Sequence, residues 1–217
     1  MMRFLIVDDH DIVLQGIRRL VENAYPGAEI AEACEARAAL VQVRGGNWDA
    51  ILLDISMPGM SGLEVLQQIK ATYPKLPVLM LSAHTEKMYA IRAFKLGASG
   101  FVNKDNTRQE LLTALQTILA GNKYVAPTLA GDMAAYLFEK KSSPEREAGA
   151  LPHEQLSDRE LEVLTRLAKG EKVGDIAIAM GLSVSAVSTY RGRILKKLDA
   201  DGTADLIRYA VEHGLRI

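Results

Sequence analysis

Two short apolar runs, each stopped by acid, constrain this chain more than any other feature. Phe4-Leu5-Ile6-Val7 runs into Asp8 and Asp9, and Ile51-Leu52-Leu53 runs into Asp54. Runs of this length without alternation read as strands buried on both faces, and they are too short for core helices. Such strands belong in a parallel sheet covered by helices, where ligands bind beyond the carboxyl ends of the strands. All three carboxylates are therefore expected at one rim. Their repulsion calls for a hard cation among them, and oxygen ligands suit Mg²⁺.

The rest of the first half fits that sheet. Strand patterns at 3–7, 28–33, 50–54, 77–82 and 100–102 alternate with amphipathic helix patterns near 11–24, 36–44, 62–72, 86–96 and 107–120. This predicts an α/β domain over residues 1–121, a doubly wound five-stranded parallel sheet. Pro26-Gly27, Pro58-Gly59 and Gly97 punctuate it. Residues 122–155 read as a linker with a short helix near 127–139; the stretch 140–150 is polar, small and without apolar period.

From residue 156 the pattern is helical only. Ser157-Asp158-Arg159-Glu160 has the spacing of a capping box, with Leu156 and Leu161 as its hydrophobic staple. Glycines at 170 and 181 stop the first two helices, and Ser183 and Thr203 are placed to cap the next two. Helix, Met180-Gly181-Leu182-Ser183, helix is the spacing of a helix-turn-helix. A small all-α domain of four helices is expected over 156–217.

Composition sets bounds on function. A net charge of −1 predicts no bulk attraction to polyanions, so any nucleic-acid surface must come from local clustering. The single cysteine, Cys34, rules out an intrachain disulfide and is expected to fill the core at the end of a strand. No apolar stretch spans a bilayer, and Asp8 interrupts any signal-peptide core, so a cytoplasmic protein without membrane contact is expected.

Ser82 ends the fourth strand and Lys104 follows the fifth, so the acidic rim also holds a hydroxyl and an ammonium. A carboxylate there can attack a phosphoryl group whose oxygens are neutralised by the cation and Lys104. Asp8-Asp9, Asp54, Met57-Pro58-Gly59 with Gly62, Ser82-Ala83, Gly97-Ala98 and Lys104 together resemble a receiver domain of the CheY type, which is flavodoxin-like. The resemblance implies that Asp54 is the phosphoacceptor. It also implies Asp9, Asp8 (through water), Asp54 and the Ser56 carbonyl as the Mg²⁺ site, and Ser82, Phe101 and Lys104 as switch and phosphoryl contacts. Phe101 in a strand is also readable as a plain core aromatic. In such receivers the positions of Ser56 and His84 often tune phosphate lifetime, and His84 is at least as readable as an exposed histidine at a helix start. A haloacid dehalogenase type of phosphohydrolase fits poorly, because Ser56 stands where its second Asp is needed.

On a helical wheel of 184–198, Val187, Ile194 and Leu198 share one face, flanked by Leu195. Opposite lie Ser185, Thr189, Gly192, Arg193 and Lys196; Ser188 and Lys197 sit at the rims, and Arg191 lies near the apolar side. A hydroxyl-rich, cationic face of small residues suits a major groove. Leu156 to Leu164, Asp175-Ile176-Ala177, Leu182 to Arg191 and Lys196-Lys197-Leu198 resemble the LuxR-type DNA-binding domain. The whole chain then resembles a two-component response regulator of the NarL/FixJ family. That implies a transcription regulator rather than an enzyme, phosphorylated by a sensor histidine kinase. Its other implied partners are double-stranded DNA, RNA polymerase and, when phosphorylated, a second copy of itself. Ser185 and Ser188 depart from the Lys or Thr often found there, and Gly174-Asp175 from Lys-Glu. Leu206, Ile207 and Tyr209 read equally as dimer contacts or as core.

Overall fold

The computed structural model describes residues 1–82, 87–104, 108–131, 133, 152–213 and 215. It divides into two compact units, Met1–Ala130 and Gly131–Ile217. His84, and the expected linker at 140–150, lie outside the described residues.

The first unit alternates strand and helix: β1 (Arg3–Val7), α1 (Asp11–Ala24), β2 (Glu29–Ala33), α2 (Ala36–Gly45), β3 (Ala50–Asp54), α3 (Gly62–Thr72), β4 (Val78–Ser82), α4 (Lys87–Lys95), β5 (Gly100–Asn103), α5 (Arg108–Leu119) and β6 (Tyr124–Val125). The strands form one parallel sheet in the order β2-β1-β3-β4-β5-β6. Period-2 alternation divides the residues of β1, β3, β4 and β5 between the two faces of the sheet. Phe4, Ile6, Leu52, Leu79, Leu81 and Val102 pack with Leu14, Ile17 and Val21 of α1 and Ala114, Leu115 and Ile118 of α5. The intervening Leu5, Ile51, Leu53, Met80 and Phe101 are equally buried, and α2, α3 and α4 pack on β1, β3 and β5. Strand order reverses between β1 and β3, which run side by side with Val7 opposite Leu53. The acids that follow these strands therefore emerge at the crevice where open sheets bind ligands.

Two expectations change. A sixth strand, β6, lies inside the stretch read as linker; its two residues pair with Gly100 and Phe101 and are too few to show a period. Cys34 is exposed: β2 ends at Ala33, which takes the buried position, and Cys34 is the first residue beyond it. Residues 127–131 are helical, with most of the rest of the expected helix outside the described residues.

The second unit opens with a 3₁₀ turn, Pro152–Gln155, followed by α6 (Asp158–Ala168), α7 (Val173–Ala179), α8 (Val184–Leu198) and α9 (Thr203–Glu212). The capping box forms: Ser157 Oγ accepts from the Glu160 amide, and Glu160 Oε2 accepts from the Ser157 amide at 2.7 Å. Leu156 and Leu161 are both buried beside it. Gly181, at φ 61°, turns the chain from α7 to α8, and these two helices meet at 112°, within the range of a helix-turn-helix. Ser183 caps α8 by accepting from the Ala186 amide. Thr203 does not cap α9: it is the first helical residue, and Gly202 holds the cap position without a side-chain bond. Among the described residues no single helix is long and apolar enough to cross a membrane.

Candidate functional site

Asp8, Asp9 and His10 follow β1, and Asp54 ends β3. Their ligand atoms all lie within 4.8 Å of one another. Asp8 and Asp54 are fully buried, whereas Asp9 is partly open to solvent. Lys104, just past β5, reaches back over the rim; its ammonium lies 2.6 Å from Asp8 Oδ2 and 2.9 Å from Asp54 Oδ1. The backbone fixes that reach, because the Lys104 amide donates to the Ser82 carbonyl at 2.7 Å. Ser82 itself is buried at the end of β4, opposite Asn103.

Burial pushes the Asp54 carboxyl up to about 6; Lys104 pulls it down, while Asp8 and Asp9 push it further up. For Lys104, burial favours the neutral amine, but Asp54 and Asp8 outweigh it and raise the ammonium above its ordinary value. One cation thus serves carboxylates that together carry more charge than it neutralises. Asp54 Oδ2 is buried and has no hydrogen-bond partner, and neither has the buried Ser56 Oγ two residues on. A buried, unpaired carboxylate oxygen is costly unless a ligand completes it. The donor set is rich in hard oxygens, so an oxygen-seeking divalent cation fits it.

The loop after Asp54 is held close. Gly62 donates its amide to the Ile55 carbonyl at 2.8 Å, and a Cβ at Gly62 would sit 1.8 Å from the Asp54 carbonyl oxygen. Only glycine lets α3 begin so near the acid. Met57 is buried in this loop. Phe101 is 1% exposed, opposite Met80 on one side and Val125 on the other. In this state it is a core aromatic with no open surface.

The second candidate surface is α8. Val187, Ile194 and Leu198 are buried, while Ser185, Ser188, Thr189, Arg193 and Lys196 are exposed. Arg191 and Gly192 are half-buried, and Arg193 lies over the Tyr190 ring with 5.9 Å between guanidinium carbon and centroid. Lys197 differs from the other cations: its ammonium lies 2.6 Å from Glu160 Oε2 and 3.1 Å from the Gln155 carbonyl. It ties α8 to the start of α6 rather than projecting with Arg193 and Lys196. Leu206 is fully buried core, and the Tyr209 hydroxyl is 2.9 Å from His153 Nδ1 within the same unit.

Sequence reasoning missed His10, whose signal was only its position after Asp9. It also missed the Glu160–Lys197 pair, which no local pattern marks because 37 residues separate the partners.

Comparisons with known proteins bear on both surfaces. Residues 4–116 match the response regulator receiver domain, and residues 154–210 match the bacterial regulatory proteins of the luxR family. The response regulator UvrY of Escherichia coli (strain K12) is 34% identical over 215 residues, covering 99% of this chain and 96% of that protein. RcsB from Salmonella enterica serovar Typhimurium, solved bound to the promoter rprA with phosphomimetic BeF₃⁻, is 26% identical with a TM-score of 0.60. The match covers 96% of this chain and 98% of that one. A structure of two RcsB dimers bound to two parallel DNAs is 26% identical with a TM-score of 0.56, covering 97% and 98%.

Proposed function

Because this chain belongs to the response regulators that join a receiver domain to a LuxR-type DNA-binding domain, we propose that Asp54 is its phosphoacceptor and that phosphorylation there controls DNA binding by α8. The observation that carries the first part is the Asp54 carboxylate: buried, paired on one oxygen with Lys104 and unpartnered on the other. The receiver function is assigned to 1–121 and DNA binding to 156–217.

Asp8, Asp9, Asp54 and the Ser56 carbonyl would hold Mg²⁺, with His10 close by. When bound, Mg²⁺ neutralises carboxylate charge and polarises phosphoryl oxygens. The chain supplies the rest. Asp54 attacks the phosphorus of a kinase phosphohistidine; the new O–P bond forms as the P–N bond breaks, and the imidazole leaves. Lys104, already above the carboxylates, balances the phosphoryl oxygens. Ser82 would donate a hydrogen bond to the acyl phosphate, and Phe101 would repack beside it. The product is one labile phosphoryl group per chain rather than steady phosphate turnover.

On α8, Ser185, Ser188, Thr189, Arg193 and Lys196 form the face offered to the major groove, with Gly192 allowing close approach and the Arg191 head at its edge. Lys197 is assigned to holding α8 on α6. Dimerisation on DNA, as for RcsB, a histidine kinase donor, contact with RNA polymerase and a cytoplasmic setting complete the reading. Incubation with a radiolabelled small-molecule phosphoryl donor and Mg²⁺ tests the acceptor. Wild type should take label to about one group per chain, and Asp54→Asn should take none; retained label in the variant rejects Asp54.

A further inference from the structure

We propose that His10 is a fourth ligand in the cation site and biases it toward first-row transition cations over Mg²⁺. This deepens the reading of the acidic rim as a cation site and rests on it. His10 is the last residue before α1, in extended backbone, and its amide donates to Asp8 Oδ1 at 3.0 Å. That bond folds the loop back so that the ring stands over the acids. Nδ1 lies 2.9 Å from Asp9 Oδ1 and 3.3 Å from Asp8 Oδ1.

The independent sign of a ligand is the buried Asp54 Oδ2, which has no partner of its own. Metal–oxygen and metal–nitrogen bonds of roughly 2.0–2.2 Å let one cation join atoms about 4 Å apart. The 4.8 Å spread of these four groups therefore needs only a small contraction. The His10 side chain is 65% exposed, so its ring can make that movement without disturbing the core.

The donor set is then the buried carboxylates of Asp8 and Asp54, the partly open carboxylate of Asp9, and one imidazole nitrogen on the open side. Mg²⁺ takes oxygen ligands and keeps its waters, so it gains little from the imidazole. Mn²⁺, Co²⁺, Ni²⁺, Cu²⁺ and Zn²⁺ accept it, in an affinity order that peaks at Cu²⁺.

The test uses the full chain and metals alone. Calorimetric titrations with Mg²⁺, Co²⁺ and Ni²⁺ are run on wild type, His10→Gln and Asp9→Asn, with pulsed EPR of the Cu²⁺-loaded proteins. His10→Gln should weaken Co²⁺ and Ni²⁺ by about tenfold or more and leave Mg²⁺ within about twofold. The ¹⁴N modulation of a bound imidazole should be present in wild type and lost in His10→Gln. Equal losses for Mg²⁺ and the transition cations, no loss for any, or a surviving imidazole signal would each overturn the proposal. If instead Asp9→Asn binds Mg²⁺ as wild type does, the underlying cation-site reading fails, whatever His10 does.

Discussion

Lys104 places its ammonium 2.9 Å from Asp54 Oδ1, while Asp54 Oδ2, on the same buried carboxylate, has no hydrogen-bond partner. The group is half satisfied. Its charge is anchored on one side and its other oxygen is left for an incoming atom. On the proposed function this asymmetry suits a phosphoacceptor, and burial of the charge leaves the protein less stable than a neutral residue there would.

The stability effect has a sign and a window. The folded-state carboxyl titrates at about 6, chiefly because burial disfavours its charge, against an ordinary value of 3.8. The folded chain therefore binds more protons than the unfolded chain between these values. Stability present at low pH is lost as pH rises through that window, by about 3 kcal/mol. In metal-free protein, the stability of Asp54→Asn relative to wild type should thus improve by roughly that amount from pH 3.5 to pH 7. Paired urea melts at the two pH values check it.

Gly62→Ala should damage the same site from the backbone side. The added carbon would lie 1.8 Å from the Asp54 carbonyl oxygen, so β3 or the start of α3 must move. We expect a loss of about 2–3 kcal/mol in stability and slower phosphoryl labelling, measured by denaturant unfolding and a labelling time course.

Lys197 and Lys196 are sequence neighbours with separable effects. Lys197→Met removes the partner of Glu160. Burial raises the Glu160 carboxyl, but Lys197 and the Ser157 amide outweigh it and hold it below the ordinary value. The stability from this pair is therefore present above about pH 4.5 and lost as pH falls through the lowered value. Solvent screening keeps it to about 1 kcal/mol, read by thermal melts at pH 7 and pH 3.

Arg193→Ala with Lys196→Ala should leave stability nearly unchanged and weaken DNA binding. The dependence of affinity on salt should flatten by about two in log–log slope for one bound protomer and about four if both protomers of a dimer contribute. Fluorescence anisotropy over a salt series measures it, with Lys197→Met as the comparison that should keep the wild-type slope.

The rim and the buried face of α8 were legible in sequence for different reasons. Strand runs ending at Val7 and Leu53 place the acids after them by period and topology alone, and the bounds of β1 and β3 follow. The burial of Val187, Ile194 and Leu198 follows from helical period. Contacts made across the fold were not legible. Glu160 captures Lys197 from another helix, Cys34 misses the core by one residue, and β6 is too short to carry a pattern. The cap of α9 fell to Gly202 rather than to the hydroxyl beside it. Gly62 stood in the motif, but the closeness of Asp54 that requires it appears only in three dimensions.

The central claim is that the state of Asp54 governs the binding of DNA by α8. Its most direct test is affinity for a fixed mixture of genomic fragments, with and without beryllofluoride and Mg²⁺, on wild type and Asp54→Ala. Tightening by about tenfold in wild type, with none in the variant, is the predicted result. Strong binding that ignores beryllofluoride in both proteins would contradict it, and would leave the first domain as a dimerisation module only.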